Sequence, residues 1–229
     1  MAKIDQRAER EKRRRRENHE TILHAAETVL LLKGVSAMSM DDVGAEAGFS
    51  KATLYRYFKN KAELVFEILA QFIDDFEQRL TAVVARPAPA REKLRAWVEA
   101  SLRLLSEKEN MTRIFLLDRS FMRLLQIFVG SADAPGTAAE RTFLKRIRDK
   151  RSEMNGLART LLREGVAARV YRPLDMEGGV MFMEAVIEGY FVEKFWSDKP
   201  ADLDRDIERL DDFLWHSLCL NDKDARRKK

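Results

Sequence analysis

The chain has 229 residues, 45% apolar and 35% charged, with only 10 Gly and 5 Pro. This composition excludes a disordered chain and favours long amphipathic helices over many short strands. Net charge is only +4, but residues 1–61 hold 13 Lys/Arg against 9 Asp/Glu, while residues 62–229 hold 29 of each. All the excess positive charge sits in the first quarter, which points to a polyanion-binding module on a neutral body.

Residues 1–17, "MAKIDQRAEREKRRRRE", form a basic N-terminal arm, read as disordered or partly helical. No apolar stretch comes after the basic run, so it is not a secretory signal. No run of about 18 uncharged apolar residues exists anywhere, so no membrane partner is expected. The single Cys219 excludes a disulfide framework and a Cys-based metal site, and it fits a reducing cytoplasm.

From Asn18 the pattern turns amphipathic. Ile22, Ala26, Val29 and Leu30 recur at helical spacing, and Gly34 stands just past the helix end. Ser39 with Asp42 reads as a capping box opening "MDDVGAEA", which Gly48 ends. Ser50 caps a third helix, "KATLYRYF". Asn60 with Glu63 is a second capping box, opening a long helix with an apolar stripe of Leu64, Ile68, Phe72, Phe76, Leu80 and Val83. Pro87 and Pro89 end it.

Residues 91–129 read as one or two helices with a weak point near "SEKEN". "GSADAPGT" (130–137) reads as a loop and 138–164 as a long helix. A connection spans 165–175, and after it come helices over Met176–Trp196 and Asp202–Leu220. On these last two, Met181, Ala185, Glu188, Val192 and Phe195, with Leu203, Ile207, Leu210, Leu214 and Leu218, form stripes suited to a helix bundle. The class is all-α, with a basic tail at 221–229.

The second and third helices with the turn "AGFS" meet the criteria for a helix-turn-helix. Val43, Ala47, Phe49, Leu54 and Phe58 supply its core. Lys51, Ala52, Tyr55 and Arg56 are left on the outer face, with Tyr57 at its edge. In such motifs the second helix enters the major groove. Lys51 then reaches guanine acceptors, and Tyr and Thr hydroxyls donate to phosphates. Lys61, in the first turn of the next helix, holds a phosphate together with free backbone N–H groups.

"SMDDVGAEAGFSKATLYRYFKNKAEL" resembles the DNA-binding region of the tetracycline-repressor (TetR) family of bacterial transcriptional regulators. The resemblance runs from about Thr21 to Leu69; beyond it only the helical layout and a "Gly…Arg-Pro-Leu-Asp" joint at 165–175 match. It places Ser39, Ser50, Lys51, Ala52, Thr53, Tyr55, Tyr57 and Lys61 at the family's DNA-contacting positions. Ser39 stands where many members have Thr, and the Arg-rich arm is longer than the family minimum.

The resemblance implies three parts. These are an N-terminal three-helix DNA-binding domain (18–61), a long joining helix, and a C-terminal helical ligand-binding and dimerisation domain (62–220). It also implies a homodimer on a palindromic operator in double-stranded DNA, released by a small-molecule effector. Candidates for the effector cavity are Phe115, Asp118, Phe121, Phe143, Met181 and Glu184; core packing and ordinary ion pairs are the competing reading. No cofactor or metal is expected, since His19 and His24 are five apart and share no helical face. No Gly-rich phosphate loop, His-Glu-x-x-His or nucleophile elbow supports an enzyme. The rival within DNA binding is a ligand-independent nucleoid protein, which the large neutral body disfavours.

Overall fold

The computed structural model describes residues 2–118, 138–197 and 202–219. The helical reading of 119–129, the loop reading of 130–137, candidate Phe121 and the basic tail lie outside the described residues. The described chain is built of α1 (Ala2–Ala37), α2 (Met40–Ala47), α3 (Lys51–Tyr55), α4 (Lys61–Ala85), α5 (Ala90–Glu107), α6 (Glu109–Leu117), α7 (Ala138–Ala167), α8 (Met176–Trp196) and α9 (Leu203–Leu218). Among the described residues, the strand-like pairing is an isolated antiparallel bridge between Tyr171 and Cys219.

The arm is helical. α1 begins at Ala2 and runs without a boundary through Asn18, so the basic run and the first amphipathic helix are one element. Arg and Lys are good helix formers, and Arg13 pairs with Glu17 one turn on. The buried side of α1 is Ile22, Leu23, Ala25, Ala26, Val29 and Leu30. Gly34 then breaks the helix at φ 73°, a left-handed backbone that suits glycine.

Two compact units divide the chain. One is Met1–Phe72 with Asp118–Leu144, and the other is Ile73–Leu117 with Lys145–Lys229. In the first, α1 packs on α2 and α2 on α3, around Val43, Leu54, Phe58, Leu64, Val65 and Phe66. Burying one such side chain fully contributes about 1.5–3 kcal/mol.

In the second unit, α9 packs on α5, and α8 packs on α6 and α5. Its core holds Leu94, Trp97, Leu102, Leu162, Val180, Ile187, Phe191, Ile207 and Leu214. Asp211 is 2% exposed, and its carboxylate meets Arg91, whose guanidinium lies over the Trp215 ring. Lys93, also buried, donates to the Val84 carbonyl near the end of α4 and to Glu164, each at 2.7 Å. The weak point near "SEKEN" is the break at Lys108 between α5 and α6.

The two C-terminal stripes differ in burial within the chain. Ile207, Leu214 and Leu218 are buried within their own unit. Met181, Ala185 and Glu188 are exposed, and the buried side of α8 is Val180, Met183, Ile187 and Phe191. α8 is apolar nearly all round, so periodicity alone did not say which face meets the parent chain.

Candidate nucleic-acid interface

The α2–turn–α3 unit is held by local bonds that the sequence specifies. Ser39 Oγ accepts from Asp42 N at 3.2 Å, and Ser39 N donates to Asp42 Oδ2 at 3.1 Å, a reciprocal capping box. Lys33 adds an ion pair to Asp42 at 2.7 Å. The Lys33 ammonium and then the Ser39 hydroxyl hold the Asp42 carboxyl below the usual range.

Gly48 ends α2 at φ 70°. The chain then doubles back so closely that Phe49 N donates to Gly44 O at 2.9 Å. A Cβ on Gly44 would lie 2.9 Å from the Phe49 carbonyl, so Gly44 is a requirement of the turn that the sequence reading did not mark. Ser50 caps α3 by accepting from Thr53 N at 3.2 Å. The expected helix 51–58 closes its regular part at Tyr55, although Phe58 N still donates to Leu54 O at 3.0 Å.

Leu54 and Phe58 are buried and Phe49 is half-buried. The opposite face presents Lys51, Ala52, Tyr55 and Arg56, all exposed, with Thr53 and Tyr57 half-buried at its edges. This is one contiguous surface of two cations, a small residue and hydroxyls. Such a surface suits base edges flanked by phosphates.

The face is pre-organised by contacts from outside it. Lys51 Nζ lies 2.8 Å from Asp41 Oδ2 on α2, and this hydrogen bond holds the Lys51 ammonium above its usual pKa. Tyr57 Oη accepts from the Asn18 amide at 3.1 Å, and His19 stacks on Phe58 at 4.9 Å between centroids. Lys61 donates to the carbonyls of Val35 at 3.0 Å and Ser36 at 3.2 Å. Two of its three ammonium protons therefore tie α4 to the end of α1, leaving one for a phosphate. The second capping box is modified: Asn60 Oδ1 accepts from Glu63 N, but Glu63 reaches back to Lys59 N rather than to Asn60 N. Asn18 and Asp41 went unmarked because their partners are set by the fold. Asn18 and Tyr57 are 39 residues apart.

The candidate effector residues fall in both units, Asp118 and Phe143 in the first and Phe115, Met181 and Glu184 in the second. Phe115 is buried on α6. Asp118 clusters with the first unit, with its carboxylate near Gly34. Phe143 lies on α7. Met181 is 56% exposed on α8. Glu184 is half-buried, 3.7 Å from Arg151, with the Asn155 amide facing it. Burial, more than any neighbouring charge, pushes its carboxyl up. A cleft of about 420 Å³ on the second unit lies between α8 and α9 and is walled by Phe182, Met183, Val186, Phe213 and Leu214. No helix among the described residues is long and apolar enough to cross a membrane.

Comparison with known proteins agrees with this geometry. Residues 22–68 match the family described as bacterial regulatory proteins, tetR family. The transcriptional activator FasR of Mycolicibacterium smegmatis is 24% identical over 204 residues, covering 89% of this chain and 84% of that protein. The transcriptional repressor KstR2 of Rhodococcus jostii is 29% identical over 94 residues, 41% of this chain and 46% of its own. The structure of the transcriptional regulator FadR from Bacillus subtilis in complex with stearoyl-CoA superposes with a TM-score of 0.67 at 19% identity, covering 85% of this chain and 96% of that one. These likenesses support a DNA-binding transcriptional regulator over both the enzyme and the nucleoid-protein readings.

Proposed function

We propose that this chain is a TetR-family transcriptional regulator that acts as a cytoplasmic homodimer on a palindromic operator from which a small effector releases it. The observation that carries the DNA half is the exposed Lys51–Ala52–Tyr55–Arg56 face of α3, set out by a capped turn and a buried Leu54. Ser39, Ser50, Thr53, Tyr57 and Lys61 flank that face and serve the phosphates. Lys51 and Arg56 read bases.

The dimer half rests on the outward face of α8 and α9. Met181, Phe182, Phe213 and Trp196 are 56–77% exposed there, beside the α8–α9 cleft. A cluster of exposed large apolar groups marks an interaction surface, and a second copy closes it into a four-helix bundle. Met181 is thereby reassigned from the effector cavity to the dimer face. Phe115 and Glu184 stay as candidate cavity residues in the body.

For the effector, the FadR relative bound to stearoyl-CoA makes a long-chain acyl-CoA the first class to test. The relatives include both an activator and a repressor, and this chain is proposed to repress.

The test is selection of duplexes from a random pool by the full-length protein, and then mobility shift on the selected duplex against its scramble in one salt. A selected inverted repeat, released by stearoyl-CoA but not by CoA alone, is expected. Equal affinity for the selected and scrambled duplexes would refute operator recognition. Retention of the shift at saturating stearoyl-CoA would refute the effector class.

A further inference from the structure

The Arg-rich segment is not a loose tail but the first turns of the same helix that packs on the reading head. Three residues later in α1 fix its orientation. Asn18 donates to Tyr57 Oη at 3.1 Å, His19 stacks on Phe58, and Ile22 is fully buried. That side of α1 therefore faces the end of the recognition helix.

At 3.6 residues per turn, positions three and four before Asn18 share its side. These are Arg15 and Arg14, with Arg7 two turns further out. Measured from Asn18, Lys12, Arg13 and Arg16 lie roughly 120–160° around the helix, and Arg13 is engaged with Glu17 at 2.8 Å. Arg14 and Arg15 are exposed, and neither is ion-paired among the described residues. Glu11 is the one acid on their side.

Tyr57 sits where the two surfaces meet. Its oxygen accepts from Asn18, so its own proton is free to be donated outward. Asn18 is thus a positioning residue for a phosphate-facing hydroxyl, and Arg14 and Arg15 extend the same line by one helical turn.

We infer that the Arg14–Arg15–Asn18 side of α1 is a second DNA surface, a rigid helical rail that grips backbone phosphates beyond the bases read by α3. The inference rests on the operator-binding reading. Charge and geometry both favour DNA: the two arginines have no ion-pair partner among the described residues, align with Tyr57 and are held on a helix that the core orients. Phosphate contacts position without reading sequence, so the rail adds affinity and salt dependence but no base preference.

The test compares two double variants of equal charge change, Arg14→Ala/Arg15→Ala and Arg13→Ala/Arg16→Ala, with wild type on the duplex that wild type selects from a random pool. Each contact that neutralises a phosphate adds about 0.9 to the slope of log K against log salt. Two contacts per subunit give a dimer a loss of about 3.6 in slope for the first variant. Between 50 and 200 mM salt, that amounts to a change in relative affinity of roughly 100-fold.

The first variant is expected to lose the slope and to keep the selected sequence, while the second keeps both. Equal losses in the two variants would show diffuse charge and overturn the rail, as would no loss in either. Circular dichroism checks that both fold. A wild-type protein that selects no duplex would overturn the operator reading itself, and the rail with it; a wild type that selects a duplex bound unchanged by the first variant overturns the rail alone.

Discussion

Lys51 Nζ lies 2.8 Å from Asp41 Oδ2, bridging the first turn of α3 to the first turn of α2. Both side chains are more than half exposed, so the pair adds little stability. Its consequence is for recognition, because a base acceptor must compete with Asp41 for the ammonium. Lys51→Ala is expected to weaken operator binding roughly 10- to 100-fold and to relax preference at one position in each half-site. Asp41→Asn is expected to tighten binding to all duplexes while leaving the melting temperature unchanged. Binding isotherms on the selected duplex and its single-base variants decide it; wild-type affinity in Lys51→Ala would remove Lys51 from the groove.

The apolar face of α8 and α9 gives a prediction on assembly. Phe182 is 64% exposed and Phe213 58% exposed, and both wall the cleft between these helices. Replacing both by Asp leaves the buried side, Val180, Ile187, Ile207 and Leu214, untouched. Sedimentation should show a folded monomer in place of a dimer, with operator affinity greatly reduced. A variant that remains dimeric would place the interface elsewhere.

Tyr171 packs against the α7 backbone at Gly165. A Cβ there would fall 2.0 Å from the Tyr171 ring, and the ring is held from the far end by its hydroxyl, which donates to Ala90 O at 3.0 Å. Gly165→Ala must therefore shift a buried ring, at a cost of about 1–3 kcal/mol. A melting temperature lower by roughly 3–10 °C is expected for a chain of this size. Unchanged melting would show that the ring is not seated against Gly165.

Two carboxyls pull the pH profile in opposite directions. Asp42 is held below its usual range by Lys33 and Ser39, so the unfolded chain takes up its proton first as pH falls. Asp42 therefore contributes stability that is present at neutral pH and lost on acidification. Glu184 is pushed up mainly by burial, with Arg151 opposing and Glu188 adding to the rise. Its protonated form is favoured in the fold, so it contributes stability at low pH that is lost as pH rises through its raised value. Thermal unfolding across a pH series should show a shallower acid limb in Asp42→Asn. In Glu184→Gln the decline above the ordinary carboxylate range should shrink. A profile unchanged by either substitution would contradict the assigned environments.

The caps, breaks and core of the reading head were legible from local rules. Ser39, Gly48, Ser50, Leu54 and Phe58 are accounted for by capping, left-handed backbone and helical period. Those constraints act over a few residues, and a linear sequence displays them directly. The basic arm was legible as charge but only as disordered or partly helical, because a run of Arg and Lys carries no apolar period to mark a helix.

What the chain's order of residues determined alone was the fold class, the helix-turn-helix and the side of α3 that faces outward. Only the tertiary structure decided which far-apart groups meet. It brought Asn18 onto Tyr57, Lys61 onto the Val35 carbonyl, Asp41 onto Lys51 and Tyr171 onto Gly165. It also decided that the stripe of Ile207, Leu214 and Leu218 fills the chain's own core while Phe213 is left outside. The reason is that periodicity fixes the side of a helix a residue occupies, whereas its neighbour across the gap depends on how other helices, tens of residues away, pack against that side.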